Sequence, residues 1–154
     1  MHTENIIENH DPKRPLFMYI PLQNVHTPLQ VPPSYEELYP DVSNPYRRKY
    51  LGLVTAMDDY VGKLVSALQR KGLYNNTVIV FSSDNGGAPG IGGASNLPLR
   101  GTKGTLYEGG IRVPGFVHSP KYVKSPGYNI RRSSPQHTYP ESRVKGGNFI
   151  SCRL

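Results

Sequence analysis

Asp84 and Asn85 stand side by side ahead of two glycines, Gly86 and Gly87, at the end of a β-branched and aromatic run, Thr77 to Ser83. A carboxylate beside a carboxamide oxygen on a tight turn suits a hard cation such as calcium or magnesium better than zinc. The same four residues are also ordinary turn formers. Two oxygen donors are too few for a calcium site, so further carboxylates would have to come from elsewhere. Downstream, Arg100 and Lys103 place two cations on a glycine-flanked loop, Gly101-Thr102-Lys103-Gly104. They could serve an anionic substrate or lie solvated on the surface. The loop lacks the Gly-Lys-Ser/Thr ending of a phosphate-binding loop, and Gly90 to Ser95 ends in serine where a dinucleotide fingerprint needs Gly or Ala. His26 follows the first apolar run, where an imidazole can hydrogen-bond an anion or give a proton to a leaving oxygen, or simply be exposed.

Other candidates carry less. Asp58 and Asp59 fall on the polar face of a helix, and no Ser-His-Asp or Cys-His pattern is supported beyond composition. Cys152 is the single cysteine, so neither an intramolecular disulfide nor a cysteine metal site can be built. Asn75-Asn76-Thr77 is a glycosylation sequon, which makes Asn75 compatible with a secretory route without establishing one.

These residues need elements to hold them. Pro15 to Leu22, PLFMYIPL, is a continuous apolar run of strand length, as in a parallel strand buried on both faces. Ser34 with Glu37 has capping-box spacing and predicts a short helix ending before Pro40. Asn44 and Pro45 open a long helix with a cap and a first-position proline. Tyr50, Val54, Met57, Val61, Leu64, Val65 and Leu68 form its apolar stripe, Arg70 and Lys71 suit its C-terminal dipole, and Gly72 suits its end. Strand, loop, helix and strand predict a βαβ crossover, which puts Asp84 and His26 at the same sheet edge, where open α/β sheets bind ligands. Ile111 to His118 supplies a third strand, expected at an edge because of Pro114.

The 154 residues suit one domain. Met1 to Arg14 is a polar segment without the apolar core of a secretory signal. No apolar run approaches the roughly 20 residues needed to span a bilayer. The formal charge of +7 is concentrated in the tail. From Pro120 onward Lys121, Lys124, Arg131, Arg132, Arg143, Lys145 and Arg153 face one acid, Glu141. A basic tail on a nearly neutral body, without the aromatic-basic interleaving of a known module, does not predict a nucleic-acid partner. Tyr122 to Leu154 is expected to be mostly unstructured.

Four stretches together resemble the arylsulfatase B type of the sulfatase family. They are PLFMYIPLQNVHTPLQVP (Pro15 to Pro32), AMDDYVGKLVSALQRKGLYNNT (Ala56 to Thr77), VIVFSSDNGG (Val78 to Gly87) and NLPLRGTKGTLYEGGIRVPGFVHSP (Asn96 to Pro120). The resemblance covers Pro15 to about Pro120, in order and without large gaps. It implies that residues 15–120 are part of a sulfatase catalytic domain, between a polar segment (1–14) and a basic tail (121–154) unlike the family. The implied fold is α/β, a partial and mostly parallel sheet with flanking helices, of alkaline-phosphatase-like architecture. The resemblance assigns His26 to sulfate contact and leaving-group assistance, Lys103 to sulfate binding, and Asp84 and Asn85 to calcium. It further implies sulfate-ester hydrolysis, with sulfated glycans as substrates, in a lysosomal or secreted glycoprotein.

Three departures qualify these implications. The family's nucleophile is a formylglycine made from the cysteine of a Cys-x-Pro-x-Arg motif, and these 154 residues contain no such motif. The early acidic metal pair and the upstream lysine and histidine of the family are likewise not among them, and Leu97 stands where the family has an aromatic residue. The isolated chain is therefore expected to be inactive. A non-catalytic binder of sulfated glycans or of a protein partner, and a phosphodiesterase of the same superfamily, are the competing functions. Asn85 speaks against the second, since a zinc enzyme would more naturally use histidine there.

Overall fold

The computed structural model describes residues 2–123 and 150–153. Its longest element is helix α3, Pro45–Arg70, following helices α1, His2–Asn9, and α2, Pro33–Glu36. Asn44 caps α3 as its sequence predicts, its Oδ1 accepting from the backbone N–H groups of Tyr46 at 2.9 Å and Arg47 at 3.1 Å. At the other end Gly72 adopts φ 74°, and the amides of Lys71, Gly72 and Leu73 donate back into the last turn. That conformation is costly for any residue with a Cβ.

The predicted stripe of α3 is half-buried, and the fully buried positions are its neighbours Leu53 and Ala67 together with Gly52. Gly52 lets α2 approach closely, since a Cβ there would lie 3.3 Å from Tyr35. Tyr35 then donates to Asp59 Oδ2 at 2.9 Å, and this carboxylate holds the Tyr35 phenol above the usual tyrosine range. Asp59 is thus a partner in helix packing as well as part of a polar face. The capping box expected at Ser34 does not form: α2 starts at Pro33 with Pro32 at its cap, and no side chain bonds to its first amides. The polar N-terminal segment is helical. Ile7 of α1 is buried against α3, Thr3 Oγ1 lies 2.7 Å from Tyr60 Oη, and Arg70 pairs with Glu8 at 2.9 Å.

The α/β class stands, but the strands run differently from expectation. Strand β1, Ile79–Ser82, pairs antiparallel with β2, Pro114–His118, which pairs antiparallel with β3, Ile150–Arg153. The physical reason lies in residues 83–113, which leave and re-enter the sheet at the same end: Ser83 N–H donates to Pro114 O at 3.0 Å, continuing the ladder past β1. A connection that returns to its own end imposes an antiparallel partner, whereas a parallel partner needs a crossover. Phe81 and Phe116 lie opposite each other in register and stack at 5.2 Å. Strand β2 is central rather than an edge, and Pro114 is tolerated as its first residue.

Pro15 to Leu22 takes no helix or strand assignment, and Phe17 and Tyr19 are 92% and 81% exposed. The expected doubly buried strand, and with it the βαβ crossover, is absent among the described residues. Of the tail expected to lack structure, Ile150–Arg153 forms β3, and residues 124–149 lie outside the described residues. Among the described residues no helix is long and apolar enough to cross a membrane.

Two substitutions test the helix. Asn44→Ala removes the acceptor for two amides and is expected to cost about 1 kcal/mol. Gly62 lies mid-helix with nothing within 4 Å of the point where a methyl group would sit, so Gly62→Ala is expected to stabilise by about 0.5–1 kcal/mol. Urea unfolding followed by helical circular dichroism reads both, and equal midpoints for the two variants would contradict the capped end and the open face of α3.

Candidate functional site

Strand β1 delivers Asp84 and Asn85 into a bend at its carboxyl end. Ser83 Oγ donates to Asn85 O at 3.2 Å, and Asn85 Nδ2 donates to Gly86 O at 2.9 Å, so the turn is held by its own polar groups. Among the described residues no donor reaches the Asp84 carboxylate or Asn85 Oδ1. Both are hard oxygen donors of the kind calcium or magnesium takes. Among the described residues there is no group of three or more His, Cys, Asp or Glu placed to hold a metal. By their chemistry the two donors would suit part of a hard-cation site, which needs more ligands than these.

Close backbone packing fixes the path of the chain beyond the turn. A Cβ on Gly86 would sit 1.8 Å from Gly109 O, and one on Gly109 would sit 2.2 Å from Gly101 O. Only glycine permits such approaches. Helix α5, Glu108–Ile111, which comes after the short helix α4, Pro89–Gly92, supplies Gly109 and Gly110 to this crossing. Gly86 N–H donates to Gly110 O at 2.8 Å, Gly109 N–H to Arg100 O at 2.7 Å, and Lys103 N–H to Gly87 O at 3.0 Å. Gly101 and Gly104 bracket Lys103 with φ of 92° and 84°. The Arg100 guanidinium lies over the Tyr107 ring at 4.0 Å, which accounts for one of the two loop cations through packing.

The other cation reaches across the chain. Lys103 Nζ lies 3.2 Å from His26 Nε2. Nδ1 of the same ring lies 2.7 Å from Thr27 O, a carbonyl that can only accept. Nδ1 therefore carries the proton, and Nε2 accepts from the ammonium. Both side chains are exposed. Cis peptides at Asn24–Val25 and Thr27–Pro28 flank the histidine.

The structure thus brings His26 and Lys103 into contact and ties the Lys103 backbone to Gly87, two residues beyond Asn85. Parallel neighbouring strands are not the means; the returning loop is. Asn75, the sequon residue, is exposed in the 3-10 turn Tyr74–Asn76, away from this loop in sequence and on the opposite end of β1. Sequence reasoning missed Asn96, whose carboxamide bonds Gly87 and Gly101, and the paired glycines 109 and 110. The Gly109-Gly110 pair was a visible signal; Asn96 in a loop gave none.

Comparison with known proteins gives consistent similarities. Residues 2–141 match the Sulfatase family. The chain is 51% identical over 118 residues to arylsulfatase J of Mus musculus, covering 77% of this chain and 20% of that protein. It is 34% identical over 118 residues to N-acetylgalactosamine-6-sulfatase of the same species, covering 74% of this chain and 21% of that one. Among solved structures, Ps i-CgsB in complex with k-i-k-neocarrahexaose superposes with a TM-score of 0.74 at 43% identity, covering 79% of this chain and 27% of the other. The chain spans about a fifth of the length of the curated relatives it matches.

The glycine crossing is open to a direct test. Gly109→Ala puts a methyl against carbonyl oxygens and is expected to unfold the loop, read as fast exchange of the Gly86 amide. Gly104→Ala meets nothing within 4 Å and bears only the left-handed backbone, about 1–2 kcal/mol. Comparable losses of stability in the two variants would show that the close approach is not the constraint.

Proposed function

The chain belongs to the sulfatase family, and on that footing we propose that it carries one part of the catalytic centre of a sulfuric ester hydrolase of the arylsulfatase B type. The observation that carries the reading is the 3.2 Å contact between Lys103 Nζ and His26 Nε2, on a loop whose backbone is bonded to the Asp84–Gly87 turn.

Lys103 and His26 stand where one anion could meet both, and a sulfate group with three exposed oxygens is the anion of the family's substrates. When the anion binds, the Lys103 ammonium turns from Nε2 to a sulfate oxygen, and Nε2, so released, takes up a proton from solvent and points it at the ester oxygen. In the whole enzyme a nucleophile from outside these residues would bond to sulfur as the S–O ester bond breaks, and Lys103 would offset the charge on the sulfate oxygens. His26 gives its Nε2 proton to the departing oxygen, which leaves as an alcohol or phenol. Thr27 O, by accepting from Nδ1, keeps Nε2 directed at that oxygen. Asp84 and Asn85 would hold calcium, which when bound supplies positive charge beside the sulfate oxygens.

The substrates we assign are sulfated glycans, supported by the hexaose held by the structural relative and by the relative named for a sulfated amino sugar. A lysosomal or secreted location accords with the exposed sequon at Asn75. The Cys-derived formylglycine of the family has no counterpart motif in these residues, so the isolated chain binds but does not turn over.

Three measurements test this. Inorganic sulfate titrated into the purified chain should shift the His26 ring and Lys103 amide resonances, and Lys103→Ala should weaken binding about ten-fold or more, the worth of one charge-assisted hydrogen bond. Sulfate affinity indifferent to both Lys103→Ala and His26→Ala would sink the assignment. An aryl sulfate should release no phenol with the chain alone. Asn75→Gln should abolish a glycosidase-sensitive mobility shift of the chain expressed through a eukaryotic secretory pathway.

A further inference from the structure

Lys103 can meet an anion near the Asp84–Asn85 turn only if the loop bearing it holds a fixed distance from that turn, and one side chain spans the two. Asn96 is half-buried. Its Oδ1 accepts the Gly87 N–H at 2.8 Å, and its Nδ2 donates to Gly87 O at 2.8 Å and to Gly101 O at 3.2 Å. With Gly87 the carboxamide closes a two-bond ring, the pairing one strand offers another. Gly87 O is at the same time the acceptor of the Lys103 N–H at 3.0 Å. The third bond, to Gly101, fixes the residue whose left-handed backbone begins the Lys103 turn.

The arrangement also explains Gly87. A Cβ there would lie 2.6 Å from Ala94 Cβ and 3.1 Å from Asn96 Oδ1, so the carboxamide takes the space a side chain would need. Three backbone groups on two segments are thereby satisfied by one side chain. Loss of that side chain removes the Asn96 partner from the Gly87 N–H and from Gly101 O and leaves Gly87 O with the Lys103 N–H alone, which loosens the segments from each other rather than from the sheet.

We propose that Asn96 is a positioning residue that locks the Lys103 loop to the Asp84–Gly87 turn, so that the cation donors and the sulfate-binding lysine move as one body. The proposal rests on the reading of His26 and Lys103 as a sulfate site. It assigns Asn96 no contact with substrate.

The test uses the purified chain with amide hydrogen exchange and an inorganic sulfate titration, for the wild type, Asn96→Ala and Asn96→Asp. In Asn96→Ala, exchange at the Gly87 and Lys103 amides should rise about ten-fold or more, the equivalent of one lost hydrogen bond, with sulfate affinity falling by a similar factor. Amides of α3 such as Ala67 should be unchanged. Asn96→Asp keeps an acceptor for the Gly87 N–H but cannot donate to Gly87 O or Gly101 O, so Gly87 should stay protected while Lys103 does not. The proposal is overturned if Asn96→Ala leaves Lys103 exchange unchanged, if exchange rises equally throughout α3, or if the loop loosens while sulfate affinity holds. A wild-type chain indifferent to sulfate, with the exchange pattern as expected, would remove the sulfate reading and leave the lock standing.

Discussion

A methyl group on Gly86 would meet the Gly109 carbonyl at 1.8 Å, and one on Gly109 would meet the Gly101 carbonyl at 2.2 Å. Three backbone segments, 84–87, 100–105 and 108–110, therefore cross at distances that hydrogen bonds between main-chain groups require and side chains forbid. The candidate site depends on that crossing. It returns residues 83–113 to the end of β1 they left, sets β2 antiparallel to β1, and carries Lys103 back over the turn that bears Asp84 and Asn85. A charged group on a glycine-rich loop would otherwise be free to wander; here the loop's amides are bonded to the turn.

Helix α3 gives the rest of the molecule its rigidity by a different route. Its ends are closed by Asn44 and Gly72, and α1, α2 and the 3-10 turn before β1 all pack on it. Buried apolar side chains are few among the described residues: Ile7, Leu53, Ala67 and Val113. Large apolar side chains such as Phe17, Tyr19, Val80 and Leu106 stand in the open. Among the described residues polar pairs also tie the segments together. Tyr35 with Asp59, Tyr74 with the buried His118, and Arg47 with Gly93 O each connect separate segments.

The contact between His26 and Lys103 joins residues 77 apart in the chain. It rests on two structures built independently: the loop after Leu22, whose Asn24 Nδ2 bonds Leu53 O on α3, and the glycine crossing after β1. The proposed sulfate site needs both, because a single exposed cation binds anions weakly in water, and groups held in place lose less orientation on binding.

The sequence determined by itself those features whose partners lie within a turn or two. Asn44, Pro45 and Gly72 marked the ends of α3 because a helix end is satisfied by residues two to four positions away. The Ile79–Ser82 strand and the Asp84-Asn85-Gly-Gly turn were equally legible from β-branched residues stopping at turn formers, and the family likeness came from long motifs read along one line. Tertiary structure alone decided the rest. A period-free apolar run such as Pro15 to Leu22 fits a buried strand as well as the exposed extended segment it forms, since periodicity does not say what lies beside it. The direction of β2 was set by where its connection returns, and Asn96 found its role through bonds to two residues on either side of its loop. These partners are distant or conformational, and hydrogen bonds of that kind leave no spacing for a sequence to display.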